Sequence, residues 1–306
     1  MPEHLLVTAS PGLPYSKLPP TCPQQVQYPD PDDCKLKFKD FDKQHPLNFY
    51  LVCDFESFLT PATDDPDQDA KTRVIDHHNV SGFCCYRVTD LSQHQTPPKV
   101  YSGPDVMSHF YEHVMSESQA ISEILSQQIP MSPLSDDDLR RHRTATTCQN
   151  CHNPFTHDNH KVRHHCHVTG QYLFPACNRC NLQLKPKKSK VEGKVTKDYF
   201  LPCLFHNLKN YDAHFVVKHF QKKYAMHSKG QKVTYDDVNV IPLNGERFLQ
   251  FQIGNIKFLD SFQFLSTSLE NLVALLLKGG KENFHHTIKH LGDTEFTFAK
   301  GVYPYS

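Results

Sequence analysis

The sequence lacks net charge, long apolar segments and internal repeats, and its first residues do not predict a secretory signal. Its 33 Lys and Arg residues balance 33 Asp and Glu residues, which excludes a histone-like basic protein and an acidic solvating tail. The longest purely apolar run, at 272–277, falls far short of the roughly 20 residues that a membrane span needs. The opening Met-Pro-Glu-His has no basic region followed by an apolar stretch, so no secretory signal is predicted.

Cysteine and histidine, by contrast, are abundant. The chain has 11 cysteines and 21 histidines among 306 residues. Without a secretory signal we expect a reducing compartment, where cysteines serve as metal ligands or free thiols rather than as disulfides. With 38% hydrophobic and 22% charged residues, the chain can build a real core, as one large domain or two small ones.

The zero net charge hides an asymmetry along the chain. Residues 54–138 contain 15 acidic and 4 basic side chains, whereas residues 139–230 contain 17 basic and 4 acidic ones. This sorting indicates a face or module for a polyanion such as nucleic acid, although solvated surface explains it equally well. The run Lys-Pro-Lys-Lys-Ser-Lys at 185–190 predicts either a nuclear localisation signal, and hence a nuclear protein, or a solvated loop.

The apolar pattern predicts an α/β (α+β) fold. The proline-rich stretch 1–45 indicates an extended lead-in, and β-forming residues predict paired strands at 49–59 and 80–90. Polar or basic connectors are predicted at 131–147 and 185–197. The remaining elements are helices at 105–129, 212–222 and 268–277, and a hairpin of strands 246–253 and 255–260 around Gly254-Asn255.

Two cysteine pairs carry the most specific metal signal. Cys148-x-x-Cys151 is followed by Cys177-x-x-Cys180, and two such knuckles can place four thiolates around one tetrahedral zinc ion. Zinc would close a module that is too small to be held together by hydrophobic burial. The alternative is four ordinary buried cysteines.

The residues around these knuckles resemble a nuclease family. Arg163-His164-His165-Cys166-His167 lies between the knuckles and Asn181 follows the second one. Over residues 148–184 this resembles the His-Asn-His endonucleases of the endonuclease VII type, which nick branched DNA. The resemblance implies a ββα-type module with His165 as general base and Asn181 as a metal ligand. His164 stands where the family has a metal-binding aspartate, and imidazole is a poor ligand for Mg²⁺, so a zinc-bound fold without cutting activity is the alternative.

Three further motifs contain carboxylates. Asp54 and Glu56 lie two residues apart on a predicted strand and therefore share one face, where they could bridge divalent ions or form a solvated strand edge. His-Asn-Leu-Lys-Asn-Tyr-Asp at 206–212 places Asp212 at a helix start, as a functional residue or as an N-cap. The third motif is Leu-Asp-Ser-Phe-Gln-Phe-Leu at 259–265.

In this order the three motifs strongly resemble the 3′–5′ exonuclease domain of family B DNA polymerases, from about residue 35 to the C-terminus. The protein-primed enzymes of Polinton or Maverick transposons and their viral relatives are most similar, and several carry an endonuclease VII-like zinc module between the first two motifs. The resemblance implies a ribonuclease H-like mixed sheet with flanking helices. It assigns Asp54, Glu56 and Asp212 to catalytic Mg²⁺ or Mn²⁺, and Asn207, Tyr211, Ser261 and Phe262 to single-stranded DNA.

The resemblance also sets the expected domains and exposes a missing motif. It divides the chain into a lead-in (1–45), a first exonuclease part (46–140), a zinc module (141–185), a basic linker (186–198) and a second exonuclease part (199–306). The family's third motif, Tyr-x-x-x-Asp, does not occur after residue 265, and the polymerase signatures are absent, so a chain truncated before the polymerase domain is expected. Three functions stay open: a 3′–5′ exonuclease region, a nucleic-acid-binding remnant without cleavage, and an endonuclease acting through His165 and Asn181.

Overall fold

A seven-stranded mixed sheet forms the framework of the computed structural model. The structure describes residues 47–62, 75–184, 187–191, 194–198, 200–226, 238–243 and 248–299, and the predicted lead-in 1–45 lies outside these ranges. The strands are β1 (Tyr50–Pro61), β2 (Asp76–Val88), β3 (Lys99–Ser102), β4 (Lys161–His165), β5 (Tyr172–Cys177), β6 (Lys187–Val191), β7 (Lys194–Asp198), β8 (Leu201–Phe205), β9 (Val238–Pro242), β10 (Phe248–Ile253) and β11 (Ile256–Asp260). The α-helices are α1 (Val106–Ser126), α2 (Asp136–Thr144), α3 (Asn178–Gln183), α4 (Asp212–Met226), α5 (Leu269–Leu277) and α6 (His285–Leu291).

The large sheet has the strand order β3-β2-β1-β8-β11-β10-β9. Strands β1, β8 and β11 run parallel to one another, and the outer pairs on both sides are antiparallel. Strands β1 and β8 are neighbours in the sheet although the cysteine-rich segment lies between them in the chain. The predicted α/β class with a mixed sheet and flanking helices is therefore confirmed.

Strand β1 shows why the sheet has one buried face. Leu51, Cys53 and Phe55 are buried, whereas Asp54 and Glu56, between and beyond them, are exposed. This alternation is the period of two that a strand imposes on its side chains. The shared face predicted for the two carboxylates is confirmed.

Aromatic side chains fill the space between the sheet and the helices. Phe110 of α1 is fully buried, and its ring meets Phe55 of β1 at 4.7 Å between centroids and Phe205 of β8 at 6.1 Å. The Tyr111 hydroxyl donates to the Val216 carbonyl at 2.8 Å, which ties α1 to α4. Helices α1 and α4 therefore position the residues that follow β8.

The segment predicted as a polar linker at 131–147 contains helix α2. Ser135 is its N-cap and accepts a hydrogen bond from the Asp138 N–H at 3.2 Å, three aspartates occupy the first turn, and basic residues occupy the last. These are favourable caps and charges for a helix. They were readable in the sequence, but α2 has no apolar stripe that would mark it as a helix.

The predicted basic linker 186–198 also has regular structure. Strands β6 and β7 pair there as an antiparallel hairpin. The hairpin of β10 and β11 forms around Gly254, whose φ of 58° is the left-handed conformation that a tight turn requires. The helices predicted at 105–129, 212–222 and 268–277 correspond to α1, α4 and α5 with shifted ends.

A small unit of β4, β5 and α3 carries the cysteine knuckles. Strands β4 and β5 pair antiparallel, and α3 begins directly after β5. The Lys161 ammonium caps the end of α2 by donating to the carbonyls of His142, Arg143 and Ala145 at 2.7–3.1 Å. Helix α2 is therefore attached to the hairpin. In the part of the chain that the structure describes, no helix is long and apolar enough to cross a membrane.

Candidate functional sites: four cysteines and a group of carboxylates

Cys148, Cys151, Cys177 and Cys180 come together at one end of the β4–β5 hairpin. Their four sulfur atoms all lie within 4.8 Å of one another, and Cys151 Sγ lies 3.9 Å from Cys177 Sγ. Four thiolates bound to zinc at about 2.3 Å in a tetrahedron would be separated by about 3.8 Å. The group fits a structural zinc ion with little movement, and we regard it as a candidate zinc site.

The backbone supports both knuckles. His152 has a φ of 59° and its N–H donates to the Cys148 carbonyl at 2.8 Å, which closes the first turn. Cys177 is the N-cap of α3, and its sulfur accepts from the Cys180 N–H at 3.5 Å. Although desolvation acts in the opposite direction, hydrogen bonds from the Cys180 backbone and the Asn159 side chain lower the pKa of Cys177 to about 7. A thiolate, the form that zinc binds, is therefore favoured at Cys177, whereas burial raises the pKa values of Cys151 and Cys180.

The histidines next to this unit are arranged differently from the expectation. Asn181 Oδ1 lies 3.0 Å from His164 Nδ1, and His164 is buried against Phe174. His165 instead contacts His167, with 4.5 Å between ring centroids. The register of the hairpin shifts between His164 and His165, and successive strand residues face opposite sides. The structure thus brings Asn181 to His164 rather than to the predicted general base His165.

The predicted exonuclease carboxylates lie at one end of the three parallel strands. Val52 of β1 pairs with Leu204 of β8, so Asp54 lies level with the chain just after β8. Asp260 ends β11 opposite Phe205, the last residue of β8. The carboxyl ends of parallel strands are where α/β proteins commonly place ligands. Four carboxylates from distant parts of the chain, Asp54, Glu56, Asp212 and Asp260, therefore meet in one region.

Asp212 is the most perturbed of these groups. It begins α4, is buried, and its Oδ1 has no hydrogen-bond partner among the described residues. Burial raises its pKa to about 7, and the charge of Asp54 contributes to this rise. The charges of Asp260 and Glu56 act in the same direction. A buried carboxylate that has one unpartnered oxygen and like charges nearby suits a bound cation or proton.

Asp54 shows the same effect more weakly. Desolvation, followed by the charge of Glu56, raises its pKa to about 6, against an opposing influence from His206. Both shifted carboxylates thus become easier to protonate, mainly because of desolvation and in addition because of neighbouring negative charges.

Asp260 accepts backbone hydrogen bonds, a structural role that the sequence analysis did not predict. Its Oδ1 accepts from the backbone N–H groups of Asn207 and Phe262, both at 2.9 Å, and its Oδ2 accepts from Lys209 at 3.2 Å. Asn207 has a φ of 73°, an uncommon conformation for a residue with a side chain. Asp260 therefore holds the turn between β8 and α4 in place.

The four residues predicted to contact single-stranded DNA lie near this turn. The Tyr211 hydroxyl lies 2.7 Å from His78 Nδ1 and also contacts Ser57 Oγ. Ser261 Oγ lies 3.0 Å from His206 Nδ1, and the Phe262 ring packs on His206 with 5.4 Å between centroids. Asn207 accepts from the Asn210 side chain at 2.6 Å. The structure thus places all four beside the carboxylates. The Tyr211 hydroxyl is within hydrogen-bond distance of side chains on β1 and β2.

The carboxylate oxygens are more widely spread than the cysteine sulfurs. In the described parts of the chain, only two groups of three or more ligand atoms lie mutually within 4.8 Å: the four cysteines, and Asp90 with His285 and His286. Asp54, Glu56 and Asp212 do not form such a group. The second group was not predicted, because nothing in the sequence connects Asp90 to a histidine pair so far along the chain.

No protein-family profile matches the sequence, and no curated protein or solved structure is significantly similar to it.

Proposed function

We propose that this chain is the 3′–5′ exonuclease region of a family B DNA polymerase of the protein-primed Polinton or viral type. In this proposal it binds single-stranded DNA 3′ ends and hydrolyses them with two divalent metal ions. Asp54, Glu56 and Asp212 would hold Mg²⁺ or Mn²⁺, which would activate water and stabilise the leaving oxygen. The four cysteines would bind zinc as a structural ion.

The state of Asp212 is the observation that carries this proposal. Its carboxylate is buried, has an unpartnered oxygen, and its pKa is raised by burial and by neighbouring carboxylates. Such an arrangement costs folding free energy unless the groups bind a cation. Natural proteins keep arrangements of this kind mainly at functional sites.

The fold agrees with a ribonuclease H-like domain interrupted by an endonuclease VII-like module. The sheet is mixed and has helices packed on it, as that fold requires. The zinc-module residues fall between β1, which carries Asp54, and β8, which precedes Asp212, yet these strands are adjacent in the sheet. An insertion between the first and second exonuclease motifs would produce this arrangement.

Exposed apolar side chains beside the carboxylates could receive unpaired bases. Phe264 is 65% exposed and Leu265 is 45% exposed in the turn after β11, close in sequence to Phe262 and Asp260. Stacking of bases on aromatic rings supplies much of the affinity for single strands and tolerates any sequence. Lysine and arginine side chains of the basic stretch 139–230 would contact the phosphates.

Binding without cleavage is the second candidate function. The three proposed metal ligands do not converge as closely as the cysteines do, and both oxygens of Asp260 already accept backbone hydrogen bonds. Asp260 is therefore a poor substitute for the aspartate of the missing third motif. The endonuclease alternative is disfavoured, because Asn181 contacts His164 instead of His165.

A nuclease assay separates these functions. The zinc-loaded chain is incubated with 5′-labelled single-stranded and branched DNA, with Mg²⁺ and then with Mn²⁺, beside Asp54→Asn and His165→Ala. Asp158→Asn is the matched control, because Asp158 is fully exposed. The proposal expects shortening from the 3′ end that is lost in Asp54→Asn and kept in the other two variants, since catalytic groups that act as a unit fail together.

The other outcomes decide between the alternatives. Salt-sensitive binding of single strands with no cleavage in either metal would replace the proposal with the non-catalytic function. Internal cuts in branched DNA that disappear in His165→Ala and persist in Asp54→Asn would establish the endonuclease function instead.

A further inference from the structure

A second cluster of metal-ligand side chains lies beyond the C-terminal end of β2. Asp90 follows the end of β2, and His285 and His286 begin α6. One ligand atom from each residue lies within 4.8 Å of the other two. Neither the exonuclease proposal nor the zinc module uses these residues.

The His286 ring is oriented as metal-binding histidines usually are. Its Nδ1 lies 2.9 Å from the Tyr86 hydroxyl, and its Nε2 lies 3.9 Å from Asp90 Oδ1. A histidine that binds a metal through one nitrogen commonly donates its other N–H to a fixed oxygen, which sets the tautomer and the ring orientation. Tyr86 supplies that oxygen here and leaves Nε2 directed toward Asp90.

A third histidine of the same helix has an unsatisfied nitrogen. His290 lies four residues after His286 and therefore on the same helix face. Its Nε2 is buried and has no hydrogen-bond partner among the described residues, and its ring packs on Tyr86 at 5.2 Å between centroids. Buried polar atoms are nearly always paired, so this nitrogen independently indicates a ligand near Tyr86.

We propose that Asp90, His285 and His286 bind a divalent transition-metal ion such as Zn²⁺ or Co²⁺. Imidazole and carboxylate are ligands that these ions accept. Nitrogen and oxygen ligands at about 2.0–2.1 Å in a tetrahedron are separated by about 3.4 Å. The distance between His286 Nε2 and Asp90 Oδ1 is 3.9 Å. Rotation of the Asp90 side chain, which is 94% exposed, would shorten this distance to the expected value. His290, whose nitrogens lie outside this group of three, is the candidate for a fourth ligand because it shares a helix face with His286.

A metal at this position would connect α6 to the C-terminal end of β2. Tyr86 and His286 are 200 residues apart in the chain, and Lys289 of α6 also contacts Gln95 in the segment that follows β2. A metal clip across so long a loop restricts the unfolded chain strongly. This site would therefore stabilise the packing of α6 without taking part in chemistry on DNA.

The test is a Co²⁺ titration of the full chain after the four-cysteine site has been loaded with one equivalent of Zn²⁺. Metal content and visible spectra are compared for the wild type, the double variant His285→Ala/His286→Ala, and Tyr86→Phe. The control is His157→Ala/Asp158→Asn, because that exposed Asp–His pair belongs to no three-ligand group among the residues that the structure describes. Far-UV circular dichroism and retained zinc show that each variant is folded.

We expect the histidine cluster of the wild type and of the control to bind one Co²⁺ with a spectrum that lacks thiolate-to-cobalt charge transfer, in addition to any Co²⁺ held by Asp54, Glu56 and Asp212. The His285→Ala/His286→Ala variant should bind one Co²⁺ fewer than the wild type, and Tyr86→Phe should bind that ion about 10- to 100-fold more weakly because it loses the orienting hydrogen bond. A wild type that takes up no Co²⁺, or uptake that is unchanged in the folded double variant, would overturn the proposal. A thiolate spectrum would also overturn it, since it would place the ion on cysteines.

Discussion

The four-cysteine unit and the large sheet differ in how closely their proposed metal ligands are placed and in how much buried core surrounds them. In the unit the sulfur atoms already lie at metal-binding distances, while the buried apolar cluster around them comprises little besides Cys148, Ala176, Cys177 and Cys180 themselves. In the sheet an extensive core holds the strands, and the carboxylates on it are less closely spaced than the sulfurs, while burial and mutual repulsion raise the pKa values of Asp54 and Asp212. We therefore propose that the unit needs a zinc ion in order to fold, whereas the sheet folds without a metal and carries an unfavourable buried carboxylate at Asp212.

The largest effect should come from removing a cysteine ligand. Cys148→Ser should abolish zinc binding and unfold the unit, because structural zinc supplies about 10–16 kcal/mol in small zinc-bound peptides. Hydrogen exchange should show lost protection across residues 148–183 and retained protection in β1 and β8. Cys166→Ser is the matched control, since Cys166 is a half-buried cysteine outside the cluster. Loss of protection in the sheet as well would show that the two regions do not differ as described.

The second prediction concerns a buried side chain in the core of the large sheet. Phe110→Ala should lower the free energy of unfolding of the sheet by about 3–5 kcal/mol, because a fully buried ring is lost and a cavity remains. Zinc should stay bound with unchanged stoichiometry. Phe264→Ala, at a 65% exposed ring, should change stability by less than about 0.5 kcal/mol in denaturant titrations. Zinc loss in Phe110→Ala would contradict the independence of the two regions.

The electrostatic cost at Asp212 can be measured directly. The native pKa of about 7 exceeds the ordinary value of 3.8, so between these pH values the native state holds a proton that the unfolded state has lost. The wild type therefore loses stability as the pH rises from about 4 to about 7. Asp212→Asn removes this cost and should raise the free energy of unfolding at pH 8 by about 2–4 kcal/mol, with a smaller gain at pH 5.5.

Denaturant titrations of the zinc-loaded protein without added Mg²⁺ or Mn²⁺ would show this trend, with Asp158→Asn as the exposed control. An Asp212→Asn variant whose stability relative to the wild type is the same at both pH values would contradict the raised pKa of Asp212.

The smallest effect concerns helix α2. Ser135→Ala removes the side-chain hydrogen bond to the Asp138 N–H and should cost about 1 kcal/mol of local stability, seen as faster hydrogen exchange in Asp136–Thr144. Ser116→Ala, at an exposed position within α1, should leave exchange there unchanged or slower, because alanine is the better helix former. Equal effects of the two substitutions would show that the cap contributes nothing.

The sequence predicted the local patterns better than the long-range contacts. The alternation around Asp54 and Glu56 and the spacing of the cysteines are short-range signals, and the structure confirms the face that the carboxylates share and the clustering of the sulfurs. Helix α2 was missed because its charged sequence has no apolar stripe, although Ser135 and the three aspartates after it marked its start.

Contacts that depend on register or topology could not be predicted. The irregularity between His164 and His165 decides which histidine meets Asn181, and no residue pattern encodes it. The cluster of Asp90 with His285 and His286 requires α6 to pack beside the end of β2. The turn-forming role of Asp260 had a local sign, since an aspartate often caps the N–H two residues on, as it does at Phe262.

Manganese binding tests the central claim most directly, because the claim is that Asp54, Glu56 and Asp212 form a divalent cation site. Free Mn²⁺ is followed by electron paramagnetic resonance as it is added to zinc-loaded wild type, Asp212→Asn, and His285→Ala/His286→Ala. We predict binding at pH 7.5 that is lost in Asp212→Asn and kept in the histidine variant. It should weaken at pH 5.5, where carboxylates with pKa values of about 6 and about 7 are largely protonated. Identical Mn²⁺ isotherms for the wild type and Asp212→Asn would contradict the claim.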